Sequence, residues 1–386
     1  MEKSNSRTIT QMPAHLQFDV MRSFVCGHNN INDLYSKINY LIDFMSGLFE
    51  PKVIVKNTFT QTLESLKKAN LRLPDNPDDG GFDDSDDSWV DGRVNRLENE
   101  EKYCLDVKNG VKVSKNPETM ITAYDESIEK YKMLAGMAQF TSHALVLSRA
   151  EDYAAITMLT ANFYSKSKDV CEKAGIKVSN DAKRDALIDK VKDEIAFICQ
   201  YTPDNSIILI DGPLIAGDAY TYMIAAQPQF IEKHSLPVFF VKNSNSNLVL
   251  DYSGAPQGKY NSDMHWADMI LKPGERTAFY KYTDKINERN TKVFCYLKFF
   301  NESSPVRIEF YSDLFFLNKT AIDNVMDLIL YLIYCQGDLK NPQVRPIAVA
   351  EMYARESLNL VNVHNEMKKT GLTPTMNEAR GMMGEY

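Results

Sequence analysis

The chain has 386 residues, a formal net charge of −8, 44% apolar residues and six cysteines. This length exceeds what one minimal core needs, and the apolar content is ordinary for a folded chain, so one large domain with additions, or two domains, is expected. No apolar run approaches the ~20 residues of a membrane span, and neither the cysteines nor the six histidines show the spacing of a zinc site or a disulfide framework.

The first 14 residues are polar and are expected to be disordered. They lack the apolar core of a signal peptide, so a cytoplasmic location is the expectation. From Ala14 to Phe49 the apolar residues Leu34, Ile38, Leu41, Ile42, Met45 and Leu48 recur at helical spacing, and Pro51 ends the helix. With a second helix over Thr58–Asn70 this predicts a helical hairpin, serving either as an interaction arm or as cover for the core. Asp75 to Asp91 then carries eight aspartates and no Lys or Arg. It reads as a solvated linker or as an acidic segment competing with nucleic acid for a basic groove. Without it the chain is formally neutral, so the net charge does not exclude a DNA partner.

A strand is expected within 118–131, with Asp125 at its end, followed by strands at 144–147 and 155–164. Asp181 caps a helix running to Gln200, whose apolar face is Ala186, Leu187, Val191, Ile195 and Ile198. That helix leads into Ser206-Ile-Ile-Leu-Ile-Asp211-Gly-Pro-Leu214. Four consecutive apolar residues predict a central strand buried on both faces, broken by Gly212-Pro213. An acid at such a strand end is costly to bury without a partner. It caps the turn, or it holds a hard divalent cation. A helix over 216–233 interrupted near Pro228, a strand Pro237–Lys242, and a short helix capped by Ser262 follow. After a turn at 273–276 come three strands (277–282, 292–300, 306–311), a long apolar helix 322–335 and a final helix 347–367. Residues from 371 read as a loose tail. The alternation of strands and helices predicts an α/β fold.

The order of these motifs resembles the NurA nuclease family. The matching pieces are Ala-Tyr-Asp125-Glu-Ser, Ile-Asp211-Gly-Pro-Leu, Phe-Val-Lys242-Asn-Ser-Asn-Ser, Ser-Asp263 before a short helix, Leu-Lys-Pro-Gly-Glu275-Arg276-Thr, Val-Arg307-Ile-Glu309-Phe and Arg-Pro346-Ile-Ala-Val-Ala350-Glu351. They run from about Ile121 to Leu358. The resemblance implies a ribonuclease H-like mixed sheet flanked by helices. This chain would add an N-terminal helical extension with its acidic insertion (residues 1–115, the linker at about 74–91) to a nuclease domain over 116–370. Two residues depart from the family pattern. Glu126 stands where Gly is expected after the first acid, and Glu351 stands where the last motif has His.

The resemblance also implies DNA cleavage with Mn2+ or Mg2+, homodimerisation and work beside a hexameric HerA-type ATPase, in DNA repair or anti-phage defence. No Gly-x-x-x-x-Gly-Lys motif occurs in the sequence, so ATP-driven steps fall to a partner. The expected metal ligands are Asp125, Asp211 and Glu351. Asp125, Asp211, Lys242 and Glu309 are the expected catalytic group, with Lys242 and Arg276 binding substrate. Each has a structural alternative. Asp125 caps a turn, Glu351 pairs with Arg355 one helical turn on, Lys242 lies in solvent, Arg276 pairs with Glu275 or Asp263, and Glu309 is a surface residue. The competing functional readings are an inactive scaffold or adaptor for the ATPase, supported by Glu126 and Glu351, and an RNA-directed nuclease.

Overall fold

The computed structural model describes residues 94–376, apart from 117–118, 150–151, 175, 217–219, 252–258, 285–287, 337, 340–341 and 371. All described residues belong to the second of two units into which the chain divides, Arg72–Tyr386. The expected helical hairpin and the acidic run lie outside the described residues.

The chain begins with short strands β1 (Val94–Arg96) and β2 (Lys102–Cys104) and helix α1 (Val107–Ser114). A meander of long strands follows, β3 (Met120–Met133), β4 (Gly136–Arg149) and β5 (Asp152–Tyr164). Helices α2 (Lys168–Ala174) and α3 (Ala182–Tyr201) lead to β6 (Ser206–Asp211). Next come α4 (Thr221–Ala225), α5 (Gln227–Glu232) and β7 (Leu236–Val241). Helix α6 (Asp263–Ile270) precedes β8 (Glu275–Thr277), β9 (Tyr280–Thr283), β10 (Thr291–Leu297) and β11 (Val306–Tyr311). Helices α7 (Ser312–Leu317), α8 (Lys319–Gln336), α9 (Arg345–Val361) and α10 (Val363–Lys369) close the described chain.

The strands form one mixed sheet in the order β1-β9-β10-β11-β7-β6-β3-β4-β5, with β8 pairing β10 and β2. Within it, β5-β4-β3 are antiparallel while β3, β6 and β7 run parallel. This three-plus-two arrangement, with helices on both faces, is the ribonuclease H-like mixed sheet expected from the sequence. The apolar run of β6 lies centrally, as its composition requires: Ile208, Leu209 and Ile210 are all buried. Every residue of β7 and β11 is buried as well.

Several local signals hold. Asp181 accepts from Arg184 N–H at the start of α3, and Ser262 accepts from His265 N–H at the start of α6. Other boundaries differ for physical reasons. Strand β3 continues eight residues beyond Asp125, because β4 pairs with it along its whole length. Asp125 is therefore inside a strand rather than at its tip, and the expected turn for it to cap is absent. The last long helix breaks at Asn362, which adopts φ 50°, ψ 58° and caps α10 by accepting from Asn365 N–H. Residues 94–114, placed by the sequence in an N-terminal extension, join the main sheet through β1–β9 and β2–β8 pairing. Among the described residues, no helix is long and apolar enough to cross a membrane.

Each face of the sheet has its own helices. Ala144 and Val146 of β4 pack with Val349, Ala350 and Ala354 of α9. Ile308 and Phe310 of β11 share a core with Ile329 and Ile333 of α8. The opposite face carries Tyr124 and Leu145 against Val191 and Phe197 of α3. Strand alternation then assigns every site residue to a face.

Helix α1 docks on α8 through Gly110. A Cβ there would stand 2.2 Å from the Asp327 carbonyl oxygen and 2.8 Å from Tyr331 Cβ. Asp327 also accepts from Asp106 N–H and Asn109 Nδ2 at 2.8 Å each. Gly110→Ala is expected to destabilise the fold by about 1–3 kcal/mol through overpacking, although the same change in an exposed helix stabilises. Urea unfolding checks this, and an unchanged or raised midpoint would show that α1 does not dock closely.

Candidate active site

The parallel ladder between β3 and β6 ends at the pair Tyr124–Ile210. The next residue on each strand is an acid, so Asp125 and Asp211 emerge side by side on the face covered by α9. Asp125 stands opposite Ala144, which packs on that helix. It is only 7% exposed, and its Oδ1 accepts from Glu126 N–H at 2.8 Å. Burial, with Asp211 and Glu126 adding repulsion, pushes the Asp125 carboxyl up to about 8. Burial also raises Asp211; Lys242 opposes that rise, while Glu126 and Glu351 add to it.

Lys242 follows β7 by one residue and lies on the same face. Its ammonium donates to Asp211 Oδ2 at 2.6 Å. It is thus paired with Asp211 rather than a free strand-end lysine in solvent. Glu351 on α9 is close enough to contribute to the raised carboxyl of Asp211. Its oxygens are engaged by Arg355 at 2.6 Å and Gln343 at 3.2 Å. The expected pairing one helical turn along is therefore present.

The two other expected site residues lie elsewhere. Glu309 is on the opposite face of the sheet, fully buried, and contacts Lys292, Arg307 and Leu214 N–H. The reading of it as a surface residue does not hold, and its place on that face separates it from Asp125 and Asp211. Arg276 is 2% exposed and its fork grips Glu98 at 2.7 and 3.0 Å, with Asp323 at 3.2 Å. Its plane lies over the rings of Tyr103 and Phe279. A planar guanidinium filled by a bidentate carboxylate and two rings secures the core. It has no face turned toward a DNA backbone. Glu275 instead closes its own turn, accepting from Lys272 N–H at 2.8 Å.

Glu126, the residue replacing Gly in the resemblance, points away from Asp125 to the α3 face. There it pairs with Lys190 at 2.6 Å, and Lys190 also meets Glu194 at 3.4 Å. Tyr124 Oη and His143 Nδ1 lie 2.7 Å apart beside this group. Burial and Lys190 push His143 down to about 4, so it is neutral near pH 7. Sequence reasoning missed this second polar layer. Its only signal was the run of charged positions at helical spacing on α3, which ordinarily marks a solvated face.

Among the described residues, no three His, Cys, Asp or Glu side chains converge as a ready metal cage. The donor chemistry nevertheless suits a hard divalent cation. A buried and a half-buried carboxylate stand abreast, and their repulsion is what such an ion relieves.

A family model described as the NurA domain matches residues 86–355, a span containing Asp125, Asp211, Lys242, Arg276, Glu309 and Glu351. The chain belongs to the NurA family. The matched span also includes β1, β2 and α1. Among solved structures, the chain is similar to the NurA nuclease from Sulfolobus solfataricus, at 11% identity and a TM-score of 0.48, covering 82% of this chain and 98% of that one. It is also similar to a NurA structure with manganese (8% identity, TM-score 0.35, 78% and 98% covered). Endonuclease V from Bacillus subtilis matches at 11% identity and a TM-score of 0.36, with 71% and 89% covered. No curated protein matches the chain.

The raised Asp125 carboxyl makes a pH prediction. In the unfolded chain it ionises near ~4; in the fold it keeps its proton up to about 8. The folded state therefore binds more protons between these values, and this group subtracts stability as pH rises through that window. Asp125→Asn is expected to match the wild type near pH 4 and to exceed it by a few kcal/mol, on the order of 2 to 5, above pH 8. Urea unfolding across this range reads the difference. A pH-independent difference would show that the carboxyl ionises normally.

Proposed function

We propose that this chain is a divalent-metal-dependent DNA nuclease, with Asp125 and Asp211 as the principal metal ligands, Glu351 as a third carboxylate and Lys242 as the phosphate-facing cation. The observation that carries the reading is the pair of acids at the end of the β3–β6 ladder, where burial and like charge keep one carboxyl protonated near neutral pH. Family membership supports phosphodiester chemistry. When bound, a divalent ion supplies Lewis-acid stabilisation of the leaving oxygen and an ionisable bound water.

The chain's own residues set the rest. Asp125 would hold the ion as a carboxylate, and with its carboxyl raised to about 8 the affinity would rise with pH up to that value. Asp211 would be the second carboxylate holding the ion, and Lys242, paired with it at 2.6 Å, is the cation on this face that would meet a phosphate oxygen. Glu351 would be the third carboxylate, and its pair with Arg355, 39% and 62% exposed, is only weakly held. Mn2+ and Mg2+ both suit this all-oxygen donor set. DNA as substrate, a homodimer, a hexameric HerA-type ATPase as motor, a cytoplasmic setting and a role in repair or anti-phage defence belong to the same proposal. They rest on the family resemblance.

A second reading is an adaptor for such an ATPase that does not cut. Its support is that each candidate ligand except Asp125 is held by a cation, and that three donors do not converge. Glu126 gives it no support, because its side chain leaves the site for Lys190.

The test is cleavage of single- and double-stranded DNA with Mn2+, alone and with the ATPase, using parallel RNA substrates. Asp211→Asn and Asp125→Asn are each expected to lower kcat by about a hundredfold or more, and chelation should abolish cleavage. Wild type that cuts nothing under all of these conditions, while binding the ATPase, would establish the adaptor reading.

A further inference from the structure

Strands β10 and β11 carry three charges among apolar neighbours. Lys292, Arg307 and Glu309 have side chains 3%, 6% and 0% exposed. Register places Phe294 opposite Glu309 and Tyr296 opposite Arg307, so the three share the face away from Asp125 and Asp211. Lys292 and Arg307 both donate to Glu309 Oε1. Burying such a group costs several kcal/mol per ion unless geometry and further hydrogen bonds repay it. Here the further bonds leave the group in two directions.

Glu309 Oε2 accepts from Leu214 N–H at 2.8 Å, three residues after Asp211. Arg307 Nη1 donates to Ser244 Oγ at 2.9 Å and Ser246 Oγ at 2.6 Å, two and four residues after Lys242. These are the stretches where β6 and β7 have ended. The last backbone bond tying them is Gly212 N–H to Phe240 O at 2.9 Å. Beyond it, the turn after Lys242 is held by Arg307 and by Asp263. The Asp263 carboxylate accepts from Val249 and Leu250 N–H, and its own N–H donates to Ser246 O. Tyr296 Oη joins the two anchors by donating to Asp263 at 2.9 Å.

We propose that the buried Lys292–Glu309–Arg307 group is a positioning brace for the nuclease site. Glu309 sets the turn after Asp211, and Arg307 sets the turn after Lys242. One ion group thereby fixes the separation of the acid and the cation from the far side of the sheet. Glu309, Arg307 and Lys292 touch no reacting atom. They act through Leu214, Ser244 and Ser246. This inference rests on the nuclease reading for its consequence, although the brace itself does not.

Glu309→Gln would leave two buried cations without a counter-charge, so the test uses the half-buried end of the brace. Ser244→Ala/Ser246→Ala removes the two hydroxyl acceptors of Arg307 Nη1 on a half-buried loop and leaves the ion group whole. Ser244→Thr/Ser246→Thr keeps the hydroxyls. With Mn2+ and DNA, the alanine pair is expected to lose about tenfold to a hundredfold in kcat, with KM within about twofold. The threonine pair should recover most of the loss. Amides of residues 243–247 should exchange about tenfold faster in the alanine pair than in wild type, while those of β6 stay unchanged. Alanine-pair turnover and loop exchange both within twofold of wild type would overturn the proposal. A wild type that cuts no DNA overturns the nuclease reading instead, and the exchange comparison then decides the brace alone.

Discussion

The structure turns on two carboxylates that the parallel pairing of β3 and β6 forces into one place. Parallel neighbours lie about 4.8 Å apart, and the ladder stops one residue before Asp125 and Asp211. The backbone at both positions is tied, because β3 continues in its pairing with β4 and β6 stays paired with β7 through Asp211. Two acids so placed, one of them buried, cannot both ionise cheaply. The fold resolves this in part, by seating Lys242 on Asp211 and leaving Asp125 protonated. A stability cost retained at a buried polar site is characteristic of sites kept for chemistry.

The surroundings follow from that constraint. Each face of the sheet carries its own charge arrangement. The α9 face holds Asp125, Asp211, Lys242 and Glu351, whose ion pairs are partly open and exchangeable. The α3 face holds Glu126–Lys190–Glu194, and further along the same face lies Lys292–Glu309–Arg307. These are closed groups with little exposure. Buried ion groups are weak evidence for stability but good devices for fixing one geometry among several. The open group does the proposed chemistry, and the closed groups hold the backbone that presents it.

Much of the fold was legible because its signals are local. The apolar run of β6, the Asp181 and Ser262 caps, the Gly212-Pro213 break and the long apolar α8 each follow from neighbours in sequence. The strand holding Asp125 was legible too, but not its length, which depends on β4 pairing across a two-residue turn. The break at Asn362 depends on a single left-handed residue that a helical pattern does not reveal. Asp125, Asp211 and Lys242, singled out in the sequence, lie on one face of the sheet, because an acid or a lysine that follows an apolar run is visible in one dimension. Glu309 and Arg276 lie away from these residues, and one reason hid their surroundings from the sequence. Alternation marked Glu309 as opposite to Ile308 and Phe310 without saying which helices cover that side, and the partner of Arg276, Glu98, lies 178 residues away. A charged residue set among fully apolar strand neighbours, as in Val-Arg307-Ile-Glu309-Phe, is better read as one half of a buried pair.

The central claim is that Asp125 and Asp211 jointly hold a divalent cation. A crystal structure of the full chain grown with Mn2+, with the ion located by its anomalous scattering, addresses it directly. The account predicts an ion bonded at about 2.1 Å to oxygens of both aspartates, with the Lys242 ammonium displaced from Asp211. Manganese bound elsewhere, with the Lys242–Asp211 pair intact at millimolar metal, would contradict it.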